Sequence, residues 1–536
     1  MTSAWRKLAS VAGAVAVTAL SLIFMAAPAS AGGYVTINGS GSSWSEVALD
    51  QWSQDVQSSG ITVNFSPDGS AAGRQDYIAG QDDFAASDPP FRNGSDKLAG
   101  TGSQIPFDYG YSYIPDTAGG TAFMYHIVVA GHLVTNLRLS GETLMKIFTG
   151  QITNWDNAEI THDYGAQLPN LPITPVVRSD GSGATYFFTR WMAHTYPSEW
   201  NAFCEKVTNG RVKPPCGQTE FYPTSGWGNV KAENGSNNVA TYITSSYADG
   251  AIGYDEYAYA LNSHYPVVAM LNPAGYYVLP SASNVAVALT KAVINEDTHS
   301  VNFLQQNLDS VYTFTDPRSY PLSSYSYLIT PRTGTKAPPN FTAAKGRTLS
   351  TFVNFLLCGG QQQMAALGYS PLPLNLVKGG LLQVDHMPGH VATPNPVTLA
   401  GCNNPTFTNG VLTLLKNAAY PSPCEKVGEP LDCVVRDGKA TTPGSGTGSK
   451  KSQTTGASTP GASASASPGT GTLGTGTGTG TGTGAVSVTG QVVDVADASA
   501  DRPLLSVLTA VAILVAVAMP PALGIWLRRR RGRAPG

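Results

Sequence analysis

Several motifs are absent from this 536-residue sequence, and each absence argues against a class of protein. No CxxC motif occurs among the six cysteines, which argues against a structural zinc site. No cysteine follows the N-terminal apolar run, so lipid attachment at that point is not expected. No GxSxG motif is present either, which removes the most direct indication of a serine hydrolase.

An excess of positive charge is also missing from the part of the chain that we expect to be exported. The whole chain carries a formal net charge of −3, and removing Arg6 and Lys7 of the N-terminal segment and the five arginines after residue 527 leaves about −10. This balance excludes a nucleic-acid surface. An anionic ligand would need local donors that act against the net charge, which favours a small buried anion over a polyanion.

Both ends of the chain have the patterns of targeting and membrane segments. Residues 1–31 read as a secretory signal with cleavage before Gly32, because a basic start is followed by an apolar run and an Ala-Ser-Ala end. Residues 503–527 are apolar and long enough to span a bilayer, and the arginine-rich tail 528–536 should stay in the cytoplasm. We therefore expect an exported protein on the outer face of the cell membrane or in the cell wall, with one C-terminal anchor.

The segment 437–502 consists mostly of Gly, Ser, Thr, Ala and Pro. Such a composition cannot bury a core and predicts a flexible tether, with a typical reach of roughly 45 Å. The folded domain is therefore expected within residues 32–436.

All six cysteines lie in that domain, where disulfides are the expected state of an exported protein. Proximity in the sequence suggests Cys204 with Cys216 and Cys424 with Cys433, which leaves Cys358 with Cys402. Six cysteines allow fifteen pairings, so this set is one hypothesis among several.

The N-terminal part of the domain alternates between strand and helix patterns that are separated by Gly/Ser turns, the first of which is predicted at Gly39-Ser40-Gly41-Ser42-Ser43. We predict strands at Tyr34–Ile37, Ile61–Phe65 and Phe84–Ala86, and helices that end near Gln57 and Ala79. This alternation is typical of an α/β sheet that binds ligands at the ends of its strands.

Further elements are predicted along the chain by the same periodicity. They are strands at Ala122–Val134, Ile173–Val177 and Gly250–Tyr254, a helix from Ser140 through Phe148, helices at Thr185–Met192 and Val239–Ser246, and helical periodicity over Ser281–Leu308 and Leu349–Leu367.

Four turns carry groups that could bind an anion. They are Ser42-Ser43-Trp44, Gly69-Ser70, Ser87-Asp88 and Arg178 through Ala184. Three of them precede predicted helices, where backbone N–H groups and the positive end of the helix favour anions, and one ends a strand. In the last turn Arg178 adds a forked cation and Ser182 a hydroxyl donor. We expect all four turns to line one cleft.

The ordered series of motifs closely resembles the phosphate-binding protein of bacterial phosphate ABC transporters over roughly residues 34–376. The motifs are GSGSSW, DGSAAG, DDFAASDPPF, LSGETLMKIFTGQITNWDN, RSDGSGATYFFT, GAIGYDEYAYA and LGYSPLP. The resemblance implies an α/β, two-lobed periplasmic-binding-protein fold of type II with two crossovers between the lobes. Lobe 1 would comprise residues 32–115 and 258–436, and lobe 2 residues 116–257.

The same resemblance implies a function without enzymatic activity. A monomer would bind inorganic phosphate without a cofactor and deliver it to a membrane permease and an ATPase. The implied phosphate-binding residues are Ser43, Trp44 through its backbone N–H, Ser70, Asp88, Arg178, Ser182, Gly183 and Ala184, with Asp180 orienting the arginine.

The sequence departs from the family pattern at three of these positions. Ser43 stands where the family usually has Thr, and Trp44 stands where it usually has Phe, but both keep the required group. Ala184 lacks the hydroxyl that is common at its position, which bears on affinity more than on the identity of the ligand.

Asp88 would select phosphate over sulfate. Phosphate retains at least one proton near neutral pH, which a carboxylate can accept as a hydrogen bond, whereas sulfate retains none.

Alternative roles remain open from the sequence alone. Asp88 could form an ordinary turn before two prolines, and Arg178 could belong to a surface ion pair. The scaffold could also hold another tetrahedral oxyanion, sense phosphate or serve as an adhesive wall protein. A hydrolase with Ser182 or Ser43 as nucleophile is disfavoured because no histidine lies within the four turns to act as base. The role of residues 377–436 is not indicated by any pattern.

Overall fold

The computed structural model describes residues 33–105, 109–334 and 336–442. The predicted signal segment 1–31, membrane segment 503–527 and basic tail 528–536 lie outside the described residues, as does all but the start of the predicted tether. Within the described ranges, no helix combines the length and the apolar character needed to cross a membrane.

The described residues form a mixed α/β structure. The strands are β1 (Ile37–Gly41), β2 (Val63–Ser66), β3 (Phe84–Ser87), β4 (Tyr111–Tyr125), β5 (Val128–Val129), β6 (His132–Leu133), β7 (Arg138–Leu139), β8 (Thr174–Arg178), β9 (Lys231–Glu233), β10 (Ala251–Glu256), β11 (Ala269–Leu271), β12 (Tyr277–Val278), β13 (Val293–Ile294), β14 (Gln306–Asn307), β15 (Ser323–Pro331), β16 (Phe407–Thr408), β17 (Val411–Leu412), β18 (Val434–Arg436) and β19 (Lys439–Thr441).

The α-helices connect these strands. They are α1 (Glu46–Gln57), α2 (Ser70–Ala79), α3 (Gly141–Phe148), α4 (Ala158–Tyr164), α5 (Gly183–Thr195), α6 (Pro197–Val207), α7 (Gly235–Thr244), α8 (Tyr257–Asn262), α9 (Ala282–Leu289), α10 (Asp309–Tyr312), α11 (Ala343–Leu357), α12 (Met364–Leu367), α13 (Leu374–Val384) and α14 (Thr413–Lys416). The α/β class that the strand and helix patterns predict is confirmed.

An eight-stranded sheet organises the fold, in the order β2-β1-β3-β15-β4-β10-β8-β9. The strands at each end run parallel to their neighbours, as β1 does with β2 and β3, and as β8 does with β9 and β10. The pairs in the middle, β3 with β15, β15 with β4 and β4 with β10, are antiparallel. Carboxyl ends of parallel strands meet at one edge, so each parallel group can position several turns together.

Strand β4 divides the sheet into two halves. Residues 111–120 of β4 pair with β15, and residues 121–125 pair with β10. We call β2, β1, β3, β15 and the start of β4 the first half, and the end of β4 with β10, β8 and β9 the second half. The chain thus passes from one half to the other within a single strand.

The predicted first strand is wrong in position, because β1 begins at Ile37 and includes the glycines that we expected to form a turn. The close approach of β3 explains their presence. A Cβ on Gly39 would lie 2.4 Å from the Phe84 ring, and one on Gly41 would lie 2.0 Å from the carbonyl oxygen of Ala86. Glycine is needed there for close strand packing, and at Gly41 also for a φ of 131°.

Two longer predictions also need correction. The strand expected at Ala122–Val134 starts earlier and ends earlier, as β4. The helical periodicity over Ser281–Leu308 produces only α9, followed by turns and the short β13–β14 hairpin. Side chains of Asn295 and Asp297 accept backbone N–H bonds from residues two positions later, which favours turns over helix there.

The disulfides are Cys204–Cys216, Cys358–Cys402 and Cys424–Cys433, so the suggested pairing is confirmed. Two of them order the region that no pattern had explained. Cys402 ties it to the end of α11, and the loop closed by Cys424 and Cys433 contacts the turn before β12, where the Val427 N–H donates to the Gly275 carbonyl at 2.9 Å. This region therefore belongs to the folded domain.

Candidate functional site

The four turns predicted to bind an anion lie together in the structure. Gly69 lies beside Asp180, since a Cβ on Gly69 would be 2.6 Å from Asp180 Oδ2. The N–H of Ala71, in the first turn of α2, donates to the Gly181 carbonyl at 3.0 Å. A Cβ on Gly183 would lie 1.8 Å from the carboxylate of Asp88. The turns of the first half thus contact the β8–α5 turn of the second half directly, and only glycine fits at residue 183.

Asp88, at the end of β3, is the carboxylate at the centre of this cluster, and it is 1% exposed. The Ser42 hydroxyl donates to both of its oxygens, at 2.8 and 2.9 Å. Ser70 donates to Oδ2 at 3.1 Å, and Ser326 donates to Oδ1 at 2.7 Å. Three separate elements therefore orient one carboxylate.

The environment of Asp88 affects its ionisation in opposite directions. Burial raises the pKa of Asp88, while the hydrogen bonds from Ser326, Ser42 and Ser70 and the charge of Arg178 lower it, and the net shift is upward. Its charged form is therefore stabilised by donors but is not in free contact with water.

Arg178, at the end of β8, supplies the cation of the site and is 1% exposed. Its Nε donates to Asp180 Oδ1 at 2.8 Å, and its Nη2 contacts Asp180 Oδ2. Nη2 also donates to Ser43 Oγ at 2.8 Å, and Nη1 donates to Ser236 Oγ at 3.0 Å. The fork of Asp180 thus fixes the guanidinium plane.

The pKa of Arg178 reflects both its burial and its partner. Burial alone would lower it, but the charge and the hydrogen bond of Asp180 raise it, and the net direction is upward. Arg178 therefore remains a buried cation.

Ser43 connects the two halves. Its Oγ contacts Arg178, lies 3.0 Å from Ser236 Oγ and accepts the Ser236 N–H at 3.2 Å. The Trp44 N–H, predicted to face the anion, donates to Ser42 Oγ at 3.1 Å in this structure. The Trp44 ring is buried and makes an edge contact with Tyr369, in accord with a core role for this side chain.

The start of α5 carries the remaining predicted residues, Ser182, Gly183 and Ala184, all of them buried. Ser182 caps the helix, because its hydroxyl accepts the Thr185 N–H at 3.3 Å. The Thr185 hydroxyl is 2.7 Å from the Tyr254 hydroxyl, so it is engaged in the contact between α5 and β10.

Sequence reasoning missed two serines of the site. Ser236 follows Asn234-Gly235 at the start of α7, so it lies at the same kind of Gly/Ser junction as the four turns and could have been found by that criterion. Ser326 lies within β15, where two residues of β4, Asp116 and Thr117, oppose it in an irregularity of the ladder. No local pattern marks such a position, because it depends on strand pairing.

Three more acids are fully buried near these turns. Asp255 and Glu256 end β10, and Asp116 lies in β4. Burial raises the pKa of Glu256 and of Asp116 well above the ordinary values, and it raises that of Asp255 to about 6. In the described part of the chain, His, Cys, Asp and Glu side chains do not form a group of three or more that could hold a metal ion.

Comparison with known proteins agrees with this architecture. The family model described as "PBP superfamily domain" matches residues 26–359. The chain belongs to the PBP superfamily. Among curated proteins, this superfamily member is 30% identical over 348 residues to the phosphate-binding protein PstS of Xylella fastidiosa strain Temecula1, covering 64% of this chain and 83% of the relative.

More distant relatives carry similar names. The phosphate-binding protein PstS of Methanocaldococcus jannaschii is 27% identical over 360 residues, which cover 66% of this chain and 86% of the relative. Among solved structures, a high-affinity periplasmic phosphate-binding protein bound with phosphate aligns with a TM-score of 0.49 and 17% identity, covering 70% of this chain and all of that one. The family model and the curated relatives confirm the family resemblance that the motifs carry.

Proposed function

We propose that this protein is an extracytoplasmic receptor that binds inorganic phosphate for an ABC import system. One observation carries the proposal. A buried arginine and a buried carboxylate, Arg178 and Asp88, lie at the ends of β8 and β3, in the two halves of the sheet, and interact electrostatically among serine hydroxyls and helix N-termini. A relative that is 30% identical to this chain is named a phosphate-binding protein.

In this proposal the donors hold the anion and Asp88 selects it. Arg178 and the hydroxyls of Ser43 and Ser70 face the oxygens of the anion, together with N–H groups at the start of α5. In this structure four contacts from the hydroxyls of Ser42, Ser70 and Ser326 fill the acceptor positions of the Asp88 carboxylate. When Ser70 turns its single O–H from Asp88 to the anion, one acceptor position becomes free for the proton of phosphate. Sulfate would present an unprotonated oxygen there and meet repulsion.

We propose that the two halves of the sheet correspond to the two lobes of a type II periplasmic-binding-protein fold, with two crossovers. Lobe 1 would comprise residues 32–115 and 258–436, and lobe 2 residues 116–257. The division of β4 between two partner strands supports one crossover, and the passage from β10 into α8 supports the other. Phosphate would be enclosed where the turns of both lobes meet.

We further propose that a membrane permease and an ATPase receive the phosphate. The signal segment 1–31 would direct export. The tether 437–502 would let the domain move relative to the membrane, and the apolar segment 503–527 would anchor the protein there with the tail in the cytoplasm. The three disulfides support an extracytoplasmic location. The receptor would act as a monomer and without catalytic activity.

Calorimetric titration tests the proposal. The full-length protein, purified in detergent, is titrated with phosphate, sulfate, arsenate and molybdate. We expect phosphate to bind and sulfate not to bind. Arg178→Ala should weaken phosphate binding at least tenfold, or about 1.4 kcal/mol. Asp88→Asn should reduce the preference for phosphate over sulfate.

Arg347→Ala serves as the matched control, because Arg347 is exposed on α11. It should leave phosphate binding unchanged. An absence of phosphate binding in the wild-type protein, or a preference for molybdate, would contradict the proposed ligand.

A further inference from the structure

Asp255 is a buried carboxylate on the same face of the sheet as Arg178. Strands β8 and β10 run parallel, with Gly253 opposite Val176. Continuing this register by two residues brings Asp255 alongside Arg178. Because side chains alternate between faces, Asp255 shares the face of Gly253, where an added Cβ would meet the Ile243 side chain of α7 at 2.7 Å.

Helix α7 brings Ser236 to the same point. The Ser236 hydroxyl accepts from Arg178 Nη1 at 3.0 Å, and it is close enough to Asp255 to lower the pKa of that carboxyl. Asp255 Oδ1 accepts the Glu256 N–H at 2.9 Å. Its Oδ2 makes no hydrogen bond of normal geometry with any described residue, although the side chain is fully buried.

Arg178 is therefore faced by two carboxylates, Asp180 and Asp255. Only Asp180 binds the guanidinium directly, in the forked arrangement. An anion that binds beside Arg178 adds negative charge next to Asp255. In a buried environment that repulsion is strong, and protonation of the free oxygen removes it.

We propose that Asp255 is a proton-accepting carboxylate beside the anion site, which takes up a proton from solvent when phosphate binds and makes the affinity fall as pH rises. This inference rests on the proposed function, since it concerns the same ligand. It goes further by adding a proton to the binding equilibrium and by assigning a role to a residue outside the four turns.

The ionisation of the neighbouring groups supports Asp255 as the proton acceptor. Burial raises the pKa of Asp255 to about 6, so it is mostly ionised at neutral pH, whereas burial and the like charges of Asp255 and Asp88 raise the pKa of Glu256 well above its ordinary value. The charged and titratable groups that interact with Asp255 are Arg178, Asp180, Glu256, Tyr259 and Tyr369.

Titration calorimetry of the full-length protein in two buffers with different protonation enthalpies measures the protons taken up per phosphate bound. Asp255→Asn keeps the side-chain shape and an acceptor for the Glu256 N–H. We expect wild-type protein to take up more protons than Asp255→Asn near neutral pH. The ratio of their dissociation constants, wild type over variant, should rise about tenfold from about pH 6 to about pH 8. Taking the ratio cancels the ionisation of phosphate itself.

Asp249→Asn is the matched control, because it removes one exposed carboxylate shortly before the same strand. It should retain the proton uptake and pH profile of the wild type. Should Asp255→Asn fail to fold, Asp255→Ser is judged by the same measurements. Equal proton uptake and parallel pH profiles in the wild type and a folded Asp255 variant would overturn the inference. Failure of the wild type to bind phosphate at any pH would instead refute the proposed function.

Discussion

Arg74 of α2 and Glu220 form a buried ion pair that joins the first half of the structure to the segment after α6. Arg74 Nη2 lies 2.5 Å from Glu220 Oε2, and the two side chains are 0% and 2% exposed. Arg74 also donates to Ser87 Oγ at 2.6 Å, next to Asp88. The Glu220 carbonyl accepts the Ser182 N–H at 2.9 Å. One ion pair thereby supports three of the four turns.

We predict that Glu220→Ala lowers the free energy of unfolding by about 3–5 kcal/mol, because it leaves the charge of Arg74 buried without a counter-ion. Release of phosphate should also be faster, since the turns lose a common support. Denaturant unfolding and stopped-flow measurement of phosphate release check both effects.

Glu205→Ala provides the comparison, because Glu205 pairs with Lys213 at the surface, where the side chains are 41% and 73% exposed. That change should cost about 1 kcal/mol or less. A similar loss of stability in both variants would contradict the importance of the buried pair.

Gly183→Ala should impair phosphate binding at least tenfold by displacing Asp88, whose carboxylate would lie 1.8 Å from the new Cβ. Alanine is favoured over glycine in helices by about 1 kcal/mol, so helix propensity predicts the opposite sign for stability. We expect the clash to dominate, with a net destabilisation of about 1–3 kcal/mol.

Gly228→Ala is its control, since no atom lies within 4 Å of the position of its Cβ. Calorimetry and thermal unfolding of both variants test the prediction. Normal phosphate affinity in Gly183→Ala would show that Asp88 need not stay where this glycine places it.

Ser326→Ala removes one of the three hydroxyls that bind Asp88. A hydrogen bond to a charged group contributes about 1.5–3 kcal/mol, and its loss should raise the pKa of Asp88 further. We expect weaker phosphate binding and a smaller preference over sulfate at acidic pH, measured by competition binding.

Ser324→Ala is the matched change two residues earlier on β15, because the Ser324 hydroxyl is buried without a hydrogen-bond partner among the described residues. It should leave selectivity unaltered. Equal behaviour of the two serine variants would speak against a role for Ser326 in orienting Asp88.

The raised pKa of Asp255 also predicts that the stability of the ligand-free protein depends on pH. Its folded-state pKa of about 6 lies above its ordinary value of 3.8, so the folded protein binds the proton more tightly than the unfolded chain. The contribution of Asp255 to the free energy of unfolding is fully present below pH 3.8 and is lost as pH rises through about 6. Asp255→Asn should therefore raise the free energy of unfolding at about pH 8 by about 1–2 kcal/mol.

Denaturant unfolding across this pH range measures the effect, with the two proteins compared at each pH. The gain should shrink as the pH falls below 6. A gain of constant size at every pH would indicate a packing effect without a titrating group.

The Cys358–Cys402 disulfide should stabilise the domain more than Cys424–Cys433. The paired cysteines are separated by 44 and 9 positions, and closing the longer loop restricts the unfolded chain more. The chain-entropy relation gives about 4 kcal/mol for the first and about 3 kcal/mol for the second. Denaturant unfolding of the two Cys→Ser double variants should reproduce this order, and the reverse order would contradict it.

The sequence by itself determined features that depend on near neighbours in the chain. Ser140 caps α3 as its position indicates, because the cap needs only an N–H three residues later. The contact of Arg178 with Asp180 also spans only two residues, and the family resemblance implied it. The disulfide pairs followed from proximity in the chain.

Only the tertiary structure decided which distant groups complete the site. Ser326 reaches Asp88 through the pairing of β15 with β3 and β4. Ser236 reaches Arg178 because β9, which precedes it, pairs with β8, and Asp255 reaches Arg178 through the parallel pairing of β10 with β8. The glycines of β1 were predicted to form a turn. They are needed because β3 packs closely against β1, and the sequence around these glycines does not show that contact. Local sequence patterns indicate hydrogen bonds between residues that are close in the chain, whereas the register of a sheet is set by the packing of the whole domain.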